Sequence, residues 1–151
     1  MRGLLLLLLV FGLAACAGGP PRRIFAPEAS IQELRIGDDQ RWTAQLRIRN
    51  YSTVPMTYAS LDAEFDLGQT GPMKIAITPD LTVPAGAVDV LEVELTPNAA
   101  AREAVAGVLN GGAALRYKLH GEIRSSDPRG RYDVDFASAL GAVPGLPNVL
   151  R

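Results

Sequence analysis

Trp42-Thr43-Ala44-Gln45-Leu46-Arg47-Ile48-Arg49-Asn50 alternates apolar and polar side chains without a break. Successive residues of an extended strand point to opposite faces, so this stretch buries Trp42, Ala44, Leu46 and Ile48 and wets Thr43, Gln45, Arg47 and Arg49. Coiled into a helix, the same four apolar residues would split between opposite sides and bury nothing well. One-sided alternation is the signature of an antiparallel sheet with one face on a core and the other in water.

The period recurs on both sides of this strand. Ala59, Leu61, Ala63, Phe65 and Leu67 oppose Ser60, Asp62, Glu64 and Asp66, and a turn follows at residues 68–72. Met73, Ile75 and Ile77 alternate next; after Pro79-Asp80 and Pro84-Ala85-Gly86, Leu91, Val93 and Leu95 oppose Glu92 and Glu94. Further on, Leu115, Tyr117, Leu119, Gly121 and Ile123 face one way, and Arg116, Lys118, His120, Glu122 and Arg124 the other. A reversal at residues 125–130 leads to Tyr132, Val134, Phe136 and Leu140, set against Arg131, Asp133 and Asp135. With a first strand near Ile31 to Ile36, the pattern predicts about seven strands separated by turn chemistry. Ala99 to Leu109 alone has helical spacing, with Thr96-Pro97 as a start signal and Asn110-Gly111-Gly112 as a stop. The expected fold class is all-β, an antiparallel β-sandwich with one short added helix.

The N-terminus carries a different message. Arg2 precedes an apolar run, Leu4 to Phe11, and small residues follow, which is a secretory signal pattern. A membrane-spanning helix needs about 20 apolar residues, and Gly18, Gly19, Pro20 and Pro21 end this run too soon. Leu13-Ala14-Ala15-Cys16 resembles a lipobox, the processing site of bacterial lipoproteins. Small side chains there suit a peptidase cleft, and the thiol takes the diacylglyceryl group. Cys16 is the single cysteine of the chain, so no disulfide braces the fold. The resemblance implies cleavage before Cys16 and lipid anchoring through it. Ala17 in the next position, where an aspartate would retain the protein at the inner membrane, implies the outer membrane. The expected organisation is a signal peptide at 1–15, a lipidated Gly/Pro/Ala-rich tether at 16–29, one sandwich domain at 30–141 and a tail at 142–151.

Composition narrows function. Fifteen basic against sixteen acidic residues leave the chain near neutrality, which disfavours nucleic acid as a partner. Arg22 and Arg23 lie in the tether, where basic residues can favour an anionic leaflet. The catalytic inventory is poor. His120 is the single histidine and falls in a solvent-facing row, where it is expected to face Asp133 across a hairpin. Ser125, Ser126 and Asp133 are near in sequence, but no nucleophile motif surrounds them. The carboxylate sets Asp62/Glu64/Asp66, Glu92/Glu94 and Asp133/Asp135 suggest hard-cation ligands only superficially. Alternate residues of a strand stand about 6.5 Å apart, too far to converge on one ion, and Arg47, Arg49, Arg116, Lys118 and Arg124 can offset them from neighbouring strands. The expectation is a non-enzyme with no cofactor, no metal and no small-molecule substrate, whose partners are the membrane through Cys16 and a protein client.

From about Ser30 to Leu140 the chain resembles the water-stress and hypersensitive-response (WHy) domain, the type 2 late-embryogenesis-abundant (LEA) family. The marks are Leu46-Arg47-Ile48-Arg49-Asn50 running into Tyr51-Ser52-Thr53-Val54-Pro55, the acidic strand Leu61 to Leu67 ending at Gly68, Ile77 to Pro84, and Tyr117-Lys118-Leu119-His120-Gly121. The family usually has proline after the asparagine, and here Tyr51 stands in that place. The resemblance implies a fibronectin-like sandwich with one added helix, structural roles for Asn50, Tyr117 and Gly121, and an involvement in desiccation or envelope stress. An adaptor docking one envelope partner through a sheet edge or loop end is the alternative. Asn50 closes the inward row of its strand, and a buried amide must find partners, so its side chain is expected to fasten the turn that follows.

Overall fold

The computed structural model describes residue 19 and residues 21–151; the lipobox residues Leu13, Ala14, Ala15 and Cys16 lie outside them. The described chain is a β-sandwich. Its strands are β1 (Glu28–Ile36), β2 (Trp42–Arg49), β3 (Met56–Leu67), β4 (Pro72–Ile77), β5 (Leu81–Val83), β6 (Val88–Leu95), β7 (Leu115–Asp127), β8 (Arg129–Leu140) and β9 (Val149–Leu150), with one helix, α1 (Ala99–Leu109), between β6 and β7. One sheet runs β6-β2-β1-β9; the other runs β4-β3-β7-β8, with β5 also paired to β3. All of these pairings are antiparallel.

The alternation of β2 is realised residue by residue: Trp42, Ala44, Leu46 and Ile48 are buried and the intervening residues are not. They meet Leu61, Phe65 and Leu67 of β3 and Tyr117, Leu119 and Ile123 of β7 in one continuous core. Strand β3 departs from strict alternation. Tyr58 is buried and Ala59 only half so, because the register with β7 shifts around Tyr58 and Ser60. Such a bulge adds one residue and moves the inward phase, so Met56 and Tyr58 point inward on one side of it and Leu61 onward on the other.

Helix α1 begins two residues later than Thr96-Pro97 suggested. Asn98 is the cap: its Oδ1 accepts from the Ala101 N–H at 2.8 Å, and its Nδ2 donates to the Thr70 carbonyl at 2.8 Å. The helix ends at Asn110, and Gly111 adopts a positive φ of 93°, as helix stops commonly do. Ala101, Val105 and Val108 are its buried face.

The expected tail, residues 142–151, is part of the fold. Ala142 bridges Leu150, and β9 adds to the edge of β1 with Leu34 opposite Leu150. A two-residue strand is too short to display a period, which is why composition marks it as tail. The same edge holds a buried charge. Strand β1 bulges between Ile31 and Glu33, so that Ile31 and Leu34 both face the core and Glu33, opposite Gln45, lies on the outer side. The Glu33 side chain is nonetheless fully buried, gripped by Arg35 and by Arg151, whose Nη2 lies 2.6 Å away. Burial pushes this carboxyl upward, but the hydrogen bonds from Arg151 and Arg35, with their charges, hold it below its ordinary value of 4.5. A carboxylate with a lowered folded pKa stabilises the fold above its unfolded value and loses that contribution as pH falls through the folded one. The parent is therefore expected to lose more thermal stability between pH 7 and about pH 3 than Glu33→Gln does; equal losses would show that the ion pair adds nothing.

Candidate functional site

The end of the sandwich where the chain enters from its N-terminal side is organised around one amide. Asn50 follows β2 and is fully buried. Its Nδ2 donates to the carbonyls of Val54, Val83 and Pro84 at 2.8, 3.1 and 3.1 Å, and its Oδ1 accepts from the Ser52 N–H at 2.8 Å. One side chain thus ties the 51–55 turn to the 83–84 turn before β6. The backbone reinforces this, with Asn50 N–H to Ala87 O at 2.9 Å and Gly86 N–H to Ser52 O at 3.2 Å.

The same turn receives the segment that precedes β1. Phe25 N–H donates to Ser52 Oγ at 2.9 Å, Arg23 N–H to Thr53 Oγ1 at 2.8 Å, and Thr53 N–H to Arg23 O at 2.9 Å. Thr53 Oγ1 also reaches the Pro21 carbonyl at 2.9 Å. Sequence reasoning placed residues 21–25 in a free tether; the two hydroxyls that dock them, Ser52 and Thr53, follow the asparagine directly, and that cluster of short hydroxyl side chains was the available signal.

Tyr117 and Gly121 lie elsewhere, on β7. The Tyr117 hydroxyl donates to the Ile31 carbonyl and accepts from the Ile31 N–H, both at 3.1 Å. Ile31 sits beside the β1 bulge, so the phenol takes up backbone groups there and links the two sheets through the core. Burial raises its pKa, and its ring packs edge-on to Phe65 at 5.4 Å between centroids. Gly121 faces Ala63 across the β3–β7 ladder. A methyl group on Gly121 would lie 2.2 Å from the Asp62 carbonyl oxygen and 2.5 Å from Ala63 Cα. No side chain fits, so the glycine is what lets these strands approach.

The outer face of the larger sheet carries the Asp62/Glu64/Asp66 and Asp133/Asp135 rows, while Glu92 and Glu94 lie on β6 of the other sheet. Asp62, Glu64, Lys74 and His120 rim a shallow depression of about 290 Å³ floored by Ala63 and Gly121. His120 meets Glu64, with Nε2 to Oε2 at 3.3 Å, and not Asp133. Strand β7 is flanked on both sides, and the register puts Glu64 and Asp135 opposite His120 while Asp133 falls opposite Glu122. Ser125 is turned away: it is buried, and its hydroxyl donates to the Thr57 carbonyl at 3.0 Å. Among the described residues no three His, Cys, Asp or Glu side chains converge as a metal site would require, and no helix is long and apolar enough to cross a membrane.

No family model matches the chain, and no curated protein matches it in sequence. Solved structures similar in fold include a crystal structure of a protein from Archaeoglobus fulgidus (16% identity, TM-score 0.42, covering 80% of this chain and 98% of that one). A solution structure of a protein from Arabidopsis thaliana is similar at 12% identity with a TM-score of 0.45, covering 85% and 86% of the two chains. A solution structure of a candidate late embryogenesis abundant protein is similar at 14% identity with a TM-score of 0.42, covering 90% and 79%.

Proposed function

We propose that the chain is an exported envelope lipoprotein, cleaved before Cys16 and held by lipid on that cysteine to the outer membrane, whose sandwich acts without catalysis. It binds proteins or surfaces and so contributes to tolerance of desiccation or envelope stress. The observation that carries the anchoring is Leu13-Ala14-Ala15-Cys16 directly after an apolar run, with the only cysteine of the chain in the one position where lipid is attached. Each buried acyl methylene contributes about 0.8 kcal/mol, so two or three chains hold a protein firmly. The stress role is supported by the sequence resemblance to the type 2 late-embryogenesis-abundant domain, with Asn50, Tyr117 and Gly121 in structural places within it.

Cys16→Ser is expected to release the protein from membranes or stall it unprocessed, because a hydroxyl does not accept the diacylglyceryl group. Fractionation with a salt wash decides this. A serine variant of processed size that stays with the membrane overturns the lipoprotein reading. Survival of a deletion strain after drying tests the stress role.

An adaptor is the second reading, and β6 favours it. The strand lies at the edge of its sheet, and its Val88 and Val90 are exposed, which suits strand addition by an extended partner. Purification in gentle detergent separates the two: an adaptor brings one companion in constant ratio, a protective protein does not.

A further inference from the structure

Of six large apolar side chains that remain exposed among the described residues, Ile24, Phe25, Tyr51 and Val88 gather at the end of the sandwich where the N-terminal segment docks. They are neighbours through the hydrogen bonds already described, since residues 23–25 lie on Ser52 and Thr53, and residues 86–87 lie on Asn50 and Ser52. Basic groups accompany them. Arg22 and Arg23 are exposed on the docked segment, and the Arg49 guanidinium stacks 4.7 Å from the centre of the Tyr51 ring. The nearby Glu28 is already engaged, its carboxylate accepting from the Tyr51 hydroxyl at 3.0 Å and lying 3.5 Å from Arg47. Aromatic and aliphatic side chains flanked by arginines suit the boundary between acyl chains and anionic headgroups.

We infer that this end of the sandwich lies on the bilayer surface, with Ile24, Phe25 and Tyr51 in the interface and Arg22, Arg23 and Arg49 on anionic lipid headgroups. The inference rests on the proposed attachment of lipid to Cys16. Six steps of chain from Cys16 to Arg22 reach at most about 20 Å, and the docking of residues 21–25 on the 51–53 turn fixes which end of the domain that short leash approaches. A free tether would let the domain tumble above the membrane; a docked one presents a single end.

The test uses the full lipidated chain reconstituted in phosphatidylcholine vesicles containing phosphatidylglycerol. Phe25→Trp places a reporter on the patch, and Leu146→Trp places one at the opposite end, beyond β1 from the docked segment; the buried Trp42 supplies a constant background. Lipids brominated near the headgroup are expected to quench the tryptophan at 25 about twofold and leave that at 146 unchanged, as shallow insertion requires. Arg22→Gln with Arg23→Gln should weaken that quenching in the anionic vesicles and have no effect in pure phosphatidylcholine. Equal quenching at both positions, or none at 25 while the chain withstands a salt wash, overturns the orientation and leaves the anchor standing. Loss of the chain in the wash overturns both. A tryptophan at 25 shielded from acrylamide yet unquenched by brominated lipid would mean that a second copy covers the patch, and also overturns it. Quenching indifferent to headgroup charge overturns the assignment to anionic lipid.

Discussion

Replacing Asn50 by alanine is expected to lower the stability of the sandwich by about 2–4 kcal/mol in denaturant melts, because each buried polar group left without a partner costs about 1–3 kcal/mol. The side chain is fully buried, and its loss strands the carbonyls of Val54, Val83 and Pro84 together with the Ser52 N–H. Asn50→Asp separates polarity from size. It keeps the acceptor for Ser52 and turns an oxygen toward three carbonyls, so it should cost at least as much as alanine. Gln32→Ala, at an exposed position on β1, supplies the control and should stay within about 0.5 kcal/mol of the parent. A loss that small for Asn50→Ala would mean that the turn closes without its amide.

A comparable or larger loss, about 3 kcal/mol or more, is expected for Gly121→Ala. The added methyl would stand 2.2 Å from the Asp62 carbonyl oxygen and 2.9 Å from the Ala63 Cβ, and both neighbours belong to the strand that β7 must pair with. The clash is with backbone, so relief requires prying β3 from β7, the ladder that joins Thr57–Leu67 to Tyr117–Asp127. Gly107→Ala should move the other way. It sits in α1 with nothing within 4 Å of its would-be methyl, and alanine is the better helix former by about 1 kcal/mol. Melts of the two variants side by side test this, and a Gly121→Ala variant within about 1 kcal/mol of the parent would show that the strands can yield.

These two residues also mark what the sequence made legible. Asn50 stood out because it ends an inward row, and an inward amide has to be bonded. Its neighbours in space were less visible: Val83 and Pro84 are joined to it only by the meeting of two turns 33 and 34 residues apart. The β2 and β7 alternations read cleanly because each strand buries one face along nearly its whole length. At Ala59 the pattern misleads, since a bulge moves the phase and the small side chains around it show no contrast. Glu33 was illegible as a buried charge: it lies in the outward phase, and what covers it includes Arg151, 118 residues away. The spacing of Ile31 and Leu34, three instead of two, was the one hint of the bulge. His120 was placed on the right face and given the wrong partner, because facing residues depend on strand order, which periodicity does not carry.

The same 118-residue separation between Glu33 and Arg151 has a consequence for synthesis. Strand β1 leaves the ribosome long before its outer neighbour β9. At 5–20 residues per second, roughly 6 to 24 s pass between the appearance of the glutamate and that of Arg151, the second of the two arginines that grip it. Throughout that interval Glu33 has Arg35 alone as its cationic partner, beside an unfinished sheet edge. Completion of this sheet edge, with both arginines on Glu33, is thereby deferred until translation has reached residue 151.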